Sequence, residues 1–240
     1  MQRNKPNLIE IQRHPYSPFV PESARVVILG SAPPARFCAE TGNHLHPKDL
    51  DWYYGSWDRG PNLLWEILFR VLDPAGLPEL VRIRGLETER EARTQIQRSF
   101  LQTWLARNQL GMLDILARFE RRDGSSSDAK LQALEFTDLV SLLNLNPSVD
   151  AICCTSRHRV LGWLKQYLEA ERTALWAEIE GYSFNLHGDQ QTVQTLRRIR
   201  VLVLPSPSPI GRIRFPSHQA WLEHLVLEYR RLLAPIIITG

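Results

Sequence analysis

Three short runs of consecutive apolar residues stand out from the mixed pattern of hydrophobic and polar positions along the chain. They are residues 25–30 (RVVILG), 149–155 (VDAICCT) and 200–205 (RVLVLP). Apolar, β-branched runs of this kind are typical of strands covered on both faces, as in a parallel sheet with helices on either side. Each run ends in small or turn-forming residues, and ligands of open α/β sheets gather beyond the carboxyl ends of the strands. The three strand exits are therefore the first place to expect chemistry.

Helical periodicity fills much of the sequence between these runs. Apolar side chains recur every three or four residues, which is typical of amphipathic helices that face a core. This pattern predicts helices at residues 62–72, 95–108, 137–143, 157–168 and 218–233. Thr155 or Ser156 is expected to cap the fourth of these helices.

Two segments interrupt the alternation of strands and helices. Residues 181–187 and 192–200, joined by a Gly188-Asp189 turn, have the pattern of a β-hairpin and predict an antiparallel addition to the sheet. Residues 73–91 are rich in charge, proline and glycine, and are expected to be peripheral. We expect one domain over residues 1–240 with a hairpin insertion near residues 181–200.

Composition narrows the class of protein without naming a function. The chain has 240 residues, 43% hydrophobic and 23% charged, which are ordinary values for a soluble globular protein. No segment has the roughly 18 consecutive apolar residues of a membrane span, and the polar N-terminus lacks the apolar core of a signal peptide. A cytoplasmic protein is therefore expected. Cys38, Cys153 and Cys154 do not suggest a disulfide framework, and the adjacent pair is expected to be buried in a strand.

Positive charge is concentrated in one segment of the chain, although the net charge is small. The formal net charge is only +3, but residues 196–215 contain five arginines and no acid. These are Arg197, Arg198, Arg200, Arg212 and Arg214. Such a segment can raise the local concentration of a polyanion, and a solvated arginine-rich face is the alternative interpretation.

The loop before the first predicted helix combines aromatic and amide side chains. Residues 52–65 (WYYGSWDRGPNLLW) place Tyr53, Tyr54 and Trp57 next to a glycine. Aromatic rings on a loop offer faces on which a flat base can stack. Asn62 stands where the helix begins, so it either caps the helix or uses its amide to hold a water molecule or read a base edge.

The loop after the last predicted strand is rigid and leads into arginines. Residues 204–215 (LPSPSPIGRIRF) present serine hydroxyls and backbone amides, which suit phosphate contacts. Ile210, with Arg212 nearby, could enter a duplex as a wedge. A proline-rich connector is the alternative. His44 and His46 form an H-x-H pair without a clear third ligand, so no metal site is expected.

Four blocks in order resemble the uracil-DNA glycosylase superfamily, most closely its hypoxanthine-DNA glycosylase branch. The blocks are GSAPP at residues 30–34, YYG with NLLW at residues 53–65, GMLDIL with RRDGSSSD at residues 111–128, and LPSPSP at residues 204–209. The resemblance spans roughly residues 25–233, although only these short blocks match.

The resemblance implies a three-layer α/β/α sandwich around a short, mostly parallel sheet. It implies hydrolysis of the N-glycosidic bond of a deaminated base in DNA, without a metal or other cofactor. DNA is the implied partner, with neither a membrane nor an obligate protein partner. In this scheme Asn62 is catalytic and Tyr54 stacks on the extruded base. The remaining implied base contacts are Gly30, Ser31, Ala32 and Thr155, and the implied DNA contacts are Ser206, Ser208, Ile210 and Arg212.

Two departures from the family pattern keep other functions open. Ala32 stands where several other branches carry a water-activating Asn or Asp, and residues 56–61 lengthen the gap between the Tyr-Tyr-Gly element and Asn62. A nucleic-acid-binding module that has lost the chemistry is one alternative. An α/β enzyme acting on free nucleosides or nucleotides is another.

Overall fold

The secondary structure comes from a computed structural model that describes residues 8–38, 45–57, 60–125, 127–174, 176–178, 181–186 and 197–237. The strands are β1 (Ile9–Arg13), β2 (Val26–Gly30), β3 (Leu110–Asp114), β4 (Leu116–Arg122), β5 (Leu131–Phe136), β6 (Ala151–Cys154), β7 (Trp176–Glu178), β8 (Gly181–Leu186) and β9 (Arg197–Val203). The α-helices are α1 (Leu64–Leu72), α2 (Leu77–Arg84), α3 (Arg90–Arg107), α4 (Leu139–Leu145), α5 (Val160–Ala170) and α6 (His218–Ile237).

A six-stranded sheet with the order β3-β2-β6-β9-β8-β7 forms the centre of the fold. The first four strands are parallel, and β8 and β7 extend the sheet with antiparallel pairing. The three predicted strands thus lie next to one another as β2, β6 and β9. The predicted hairpin pairing between β8 and β9 is confirmed, while its Gly188-Asp189 turn lies outside the described residues.

Alternate residues of the parallel strands point into two different hydrophobic layers. Val26 and Ile28 of β2 pack with α1, α3 and α6 on one face of the sheet. Val27 and Leu29 pack with α4, α5 and a second, smaller sheet on the other face. Because both faces are covered, the strands are apolar throughout, as the sequence pattern predicts. The fold is therefore an α/β sandwich of three layers around a mostly parallel sheet.

The second sheet is antiparallel, has the order β1-β4-β5 and was not predicted. Its strands bury few apolar residues; β4, for example, buries Leu116 and Phe119 but carries four charged side chains. Polar strands that cover a core with one face only give a weak apolar signal. Residues 131–136, which precede the helix predicted at residues 137–143, form β5.

Other expected boundaries also need correction. Residues 73–91 are not merely peripheral, because α2 lies within them and buries Leu80 and Ile83. Helix α5 begins at Val160 rather than at residue 157, although Ser156 Oγ does accept a hydrogen bond from the Arg159 amide at 3.2 Å. Cys153 and Cys154 are fully buried in β6, as expected.

None of the helices in the described part of the chain has the length and apolar character needed to cross a membrane.

Candidate functional site at the carboxyl edge of the sheet

The parallel strands bring their carboxyl ends to one edge of the sheet. Gly30 at the end of β2 pairs with Asp114 at the end of β3, and Leu29 pairs with Cys154 at the end of β6. Thr155 follows β6, and its amide donates to the Leu29 carbonyl at 3.0 Å. Residues that are far apart in the sequence therefore meet along one edge because the strands run in the same direction.

Tyr54 lies directly against Gly30. A Cβ atom added at Gly30 would be 2.3 Å from the Tyr54 hydroxyl and 2.0 Å from Asp114 Oδ1, so only glycine allows this approach. Tyr54 has a φ of 53°, in the left-handed region that is uncommon for residues with a side chain. The aromatic loop holds this backbone conformation, and the ring is thereby directed at the strand ends.

A directional pair of hydrogen bonds joins Tyr54 to the exit of β6. Thr155 Oγ1 donates to the Leu29 carbonyl at 3.1 Å, so it accepts from the Tyr54 hydroxyl at 2.9 Å. Burial raises the pKa of Tyr54 well above its usual value, and the nearby Asp114 carboxylate raises it further. The phenol is therefore a neutral donor with an uncharged ring.

Ser31 and the loop after β2 are held by a buried charged network. Ser31 Oγ donates to Asp128 Oδ1 at 2.9 Å, and burial is the main cause that raises the pKa of Asp128. Arg121, which is fully buried, donates to the carbonyls of Pro33 and Ser125. Ala32 packs against the hydrophobic layer that contains α4 and α5.

The side chain of Asn62 is hydrogen-bonded to the backbone at the start of α1. Its Oδ1 accepts a hydrogen bond from the Leu64 amide at 3.0 Å. Leu63 is the N-cap of α1 and makes no side-chain capping bond, so Asn62 lies one residue before the capping position that the sequence offered as one alternative. The next residue, Leu63, donates its amide to the Pro207 carbonyl at 3.3 Å. The start of α1 and the proline-rich loop after β9 are therefore in direct contact.

The loop after β9 carries the predicted DNA contacts in different environments. Ser206 is exposed, and its Oγ accepts from the Ser208 amide at 3.3 Å. A 3-10 helix, Pro209–Arg214, follows, with the Arg212 side chain exposed. Ile210 belongs to this helix, and its side chain lies outside the described residues. The Tyr229 hydroxyl donates to the Pro205 carbonyl at 3.0 Å and anchors the loop on α6.

The five arginines of residues 196–215 do not form one patch, which corrects the interpretation of that segment. Arg197 donates to the carbonyls of Leu143 and Asn146, and Arg198 donates to Ser183 Oγ at 3.1 Å. These two residues begin β9, whereas Arg212 and Arg214 follow its far end. An extended strand separates its two ends, so the charges are divided between opposite edges of the sheet.

Sequence analysis missed three basic side chains beside Thr155. Arg157, His158 and Arg159 are all exposed and follow the exit of β6. The signal was available, since the Arg-His-Arg run comes directly after a predicted strand. These three residues were instead assigned to the start of the helix predicted at residues 157–168.

The chemistry that this edge offers is polar and aromatic. Gly30, Tyr54 and Thr155 form one contact group. Asn62 lies beside a second contact, in which the Leu63 amide joins the start of α1 to the proline-rich loop. Asp114 and His14, neither of which was assigned a role from the sequence, complete the first group. Within the described residues there is no cluster of three or more His, Cys, Asp or Glu side chains that would hold a metal ion.

Comparisons with known proteins add little beyond this geometry. No family model matches the chain, and no curated protein matches it. A solution NMR structure of a protein from Methanosarcina acetivorans, described as a "putative Uracil DNA glycosylase", is similar with a TM-score of 0.49 and 18% sequence identity. The match covers 93% of this chain and 99% of that one.

Proposed function

We propose that the protein is a DNA glycosylase that hydrolyses the N-glycosidic bond of a deaminated base, hypoxanthine or uracil. The observation that supports this most directly is the contact group at the carboxyl edge, where Gly30, Tyr54 and Thr155 meet beside the aromatic loop. The ordered motifs that resemble the uracil-DNA glycosylase superfamily support the same function.

A base inside a duplex cannot be attacked, so it must first leave the stack at a cost of a few kcal/mol. The proline-rich loop is suited to offset this cost, because it is rigid and carries the exposed Ser206 and Arg212. Hydroxyl and guanidinium groups of this kind hold phosphates of an opened strand. Ile210 on the same loop would act as the wedge.

Tyr54 would then receive the extruded base. Its ring is neutral, and its hydroxyl is held by Thr155, so stacking needs no rearrangement of charge. Gly30, Ser31 and Ala32 would supply backbone groups close to the base. Donors aimed at the departing base stabilise the negative charge that it carries in the transition state.

A DNA-binding module without catalytic activity is the second candidate. Asn62 Oδ1 already accepts a hydrogen bond from the Leu64 amide, and Ala32 offers no polar side chain. These two observations favour a structural role for residues that a glycosylase would use. Salt-sensitive binding to DNA without base release would identify this alternative.

The test of the proposed function is base release from short duplexes that contain one deoxyuridine or one deoxyinosine. We expect abasic sites to accumulate with at least one of these duplexes and not with an unmodified duplex. Release from free deoxyinosine but not from DNA would instead identify a nucleoside enzyme. Absence of release from every substrate at high protein concentration and low salt would contradict the proposal.

A chemical role of Asn62 can be tested separately from its hydrogen bond to the Leu64 amide. Asn62→Asp keeps an oxygen for the Leu64 amide but loses the amide hydrogens, whereas Asn62→Ala loses both. We expect Asn62→Ala to lower the free energy of unfolding by about 1 kcal/mol and Asn62→Asp to leave it almost unchanged. Both substitutions should slow base release by about 100-fold if the amide orients the water or the base. If the Asn62→Asp variant releases the base at the wild-type rate, Asn62 holds the start of α1 and takes no part in the chemistry.

A further inference from the structure

Asp114 is a buried carboxylate at the edge where the proposed chemistry takes place. It ends β3 and pairs with Gly30 in the parallel register, and only 7% of its surface is exposed. Taking a carboxylate out of water is costly unless its oxygens are paired. The partners of its two oxygens therefore indicate what this side chain does.

One oxygen of Asp114 is held by a histidine. Asp114 Oδ2 lies 2.9 Å from His14 Nε2, and each of the two side chains is 8% exposed. His14 Nδ1 lies 2.8 Å from the carbonyl of Tyr16, and the His14 ring stacks on Tyr53 with 5.3 Å between the ring centres. His14 is thus held on its ring face and at both nitrogens, and it fixes the position of Asp114 Oδ2.

The other oxygen is available. Asp114 Oδ1 receives no hydrogen bond from any residue in the described part of the chain. Oδ1 and the Tyr54 hydroxyl both lie within 2.3 Å of the point where a Cβ of Gly30 would be. Because Tyr54 gives its hydrogen to Thr155, it does not satisfy Oδ1. This oxygen is therefore free to contact a water molecule beside the contact group of Gly30, Tyr54 and Thr155.

Two other acids near this end of the fold differ from Asp114. Asp128 is only partly buried and its Oδ1 accepts from Ser31 Oγ, and Asp49 is bound by Arg36 on both oxygens. Asp49 also accepts the amides of His46 and Trp57, so it is fully satisfied. Neither group combines burial with an oxygen left free beside Gly30.

We propose that Asp114 is the catalytic carboxylate of this site, an assignment that rests on the glycosylase function proposed above. The water oxygen bonds to the sugar C1′ while the C1′–N bond breaks and its electron pair leaves with the base. One proton of the water passes to Asp114 Oδ1. That proton then moves to the anionic base, which leaves neutral and regenerates the carboxylate.

Asp114 would supply the proton acceptor that is missing from the GSAPP block at residues 30–34. Ala32 cannot accept a proton, and the amide of Asn62 is too weak a base to do so. The strand next to β2 supplies the carboxylate instead, at the level of Gly30. His14 is a positioning residue, because it contacts Asp114 and not the reacting atoms.

The test compares single-turnover base release and DNA affinity in matched variants. We expect Asp114→Asn to slow release by at least about 100-fold without changing the Kd for DNA. Asp150→Asn is the control, because Asp150 lies just before β6 at the opposite edge and pairs with Arg25 at 2.6 Å. It should release base within twofold of the wild-type rate.

Azide separates a chemical role from a structural one. Azide attacks C1′ without a proton to lose, so it should restore base release in Asp114→Ala and yield a 1′-azido sugar. Such rescue also demonstrates that the variant is folded. His14→Gln retains an amide donor for Oδ2 and should lose less activity than His14→Ala.

The outcomes distinguish this assignment from the proposed function. Base release by Asp114→Asn within threefold of a measurable wild-type rate would overturn the role of Asp114 and leave the glycosylase function intact. A slow Asp114→Ala variant that azide does not restore would overturn it as well. Failure of the wild-type protein to release any base would remove the proposed function, and this assignment with it.

Discussion

At the scale of single residues, Gly30 controls how closely the parts of the candidate site approach one another. The Tyr54 hydroxyl and Asp114 Oδ1 share the space that a side chain at this position would fill. The glycine is needed here because two polar groups reach the backbone, not because of its own backbone angles. Its presence at the end of an apolar run is the local sign of this close approach.

The substitution Gly30→Ala tests this crowding. Because the added methyl group would overlap two oxygens, we expect a loss of about 1–3 kcal/mol in the free energy of unfolding and a displaced Tyr54 ring. Urea unfolding measures the first effect, and the NMR resonances of the Tyr54 ring report the second. Gly162→Ala in α5 is the matched control, since a Cβ there meets nothing within 4 Å. The control should be neutral or stabilise by up to about 1 kcal/mol.

At the scale of elements, β4 fixes the loop that follows β2. Arg121 projects from this strand of the smaller sheet and donates to Pro33 in the loop, to Ser125 and to Gln12. Because the Arg121 guanidinium is fully buried and has partners on three segments, it joins the smaller sheet to the loop that contains Pro33. The second sheet is therefore part of the support for the site rather than a separate addition.

Replacing Arg121 by methionine keeps an unbranched apolar stem, although a shorter one, and removes every donor. We expect Arg121→Met to lower the free energy of unfolding by about 3 kcal/mol, because three buried acceptors lose their partner. Arg122→Met is the control, since Arg122 is the next residue of the same strand and is exposed. It should change stability by less than about 0.5 kcal/mol. Equal effects in chemical denaturation would show that Arg121 does not hold the loop.

At the scale of the whole molecule, the exposed arginines make one edge of the sheet more basic than the other. Arg157 and Arg159 follow β6, and Arg212 and Arg214 follow β9, so these four exposed side chains share the carboxyl edge. The arginines that begin β9 are at the other edge, and Arg197 and Arg198 bond to the protein itself. The small net charge thus conceals a basic edge next to the candidate site.

DNA binding as a function of salt tests this arrangement. We expect Arg157→Gln and Arg212→Gln each to weaken binding to any duplex and to reduce the slope of log K against log salt by about 1. Arg107→Gln is the control, because it removes the same charge from a different place. Arg107 is exposed and ends α3 near the amino end of β3. A slope that falls equally in all three variants would contradict a DNA-facing carboxyl edge.

The hydrophobic pattern alone predicted the central strands and the helices around them, because helix and strand periods are local properties of the sequence. It did not predict β4, whose charged residues conceal a strand that buries only one face. Asn62 illustrates the same limit at the site. The sequence offered capping and chemistry as alternatives, and the structure makes Leu63 the N-cap while Asn62, one residue earlier, accepts from the Leu64 amide.

What the sequence determined is therefore the α/β class, the strands β2, β6 and β9, and the exits at which polar residues collect. Only the tertiary structure joined His14 to Asp114 and Tyr54 to Thr155, pairs that are 100 and 101 residues apart. No periodic pattern connects residues at such distances. Their meeting depends on the parallel direction of the strands and on the left-handed turn at Tyr54, and both are consequences of packing the whole chain.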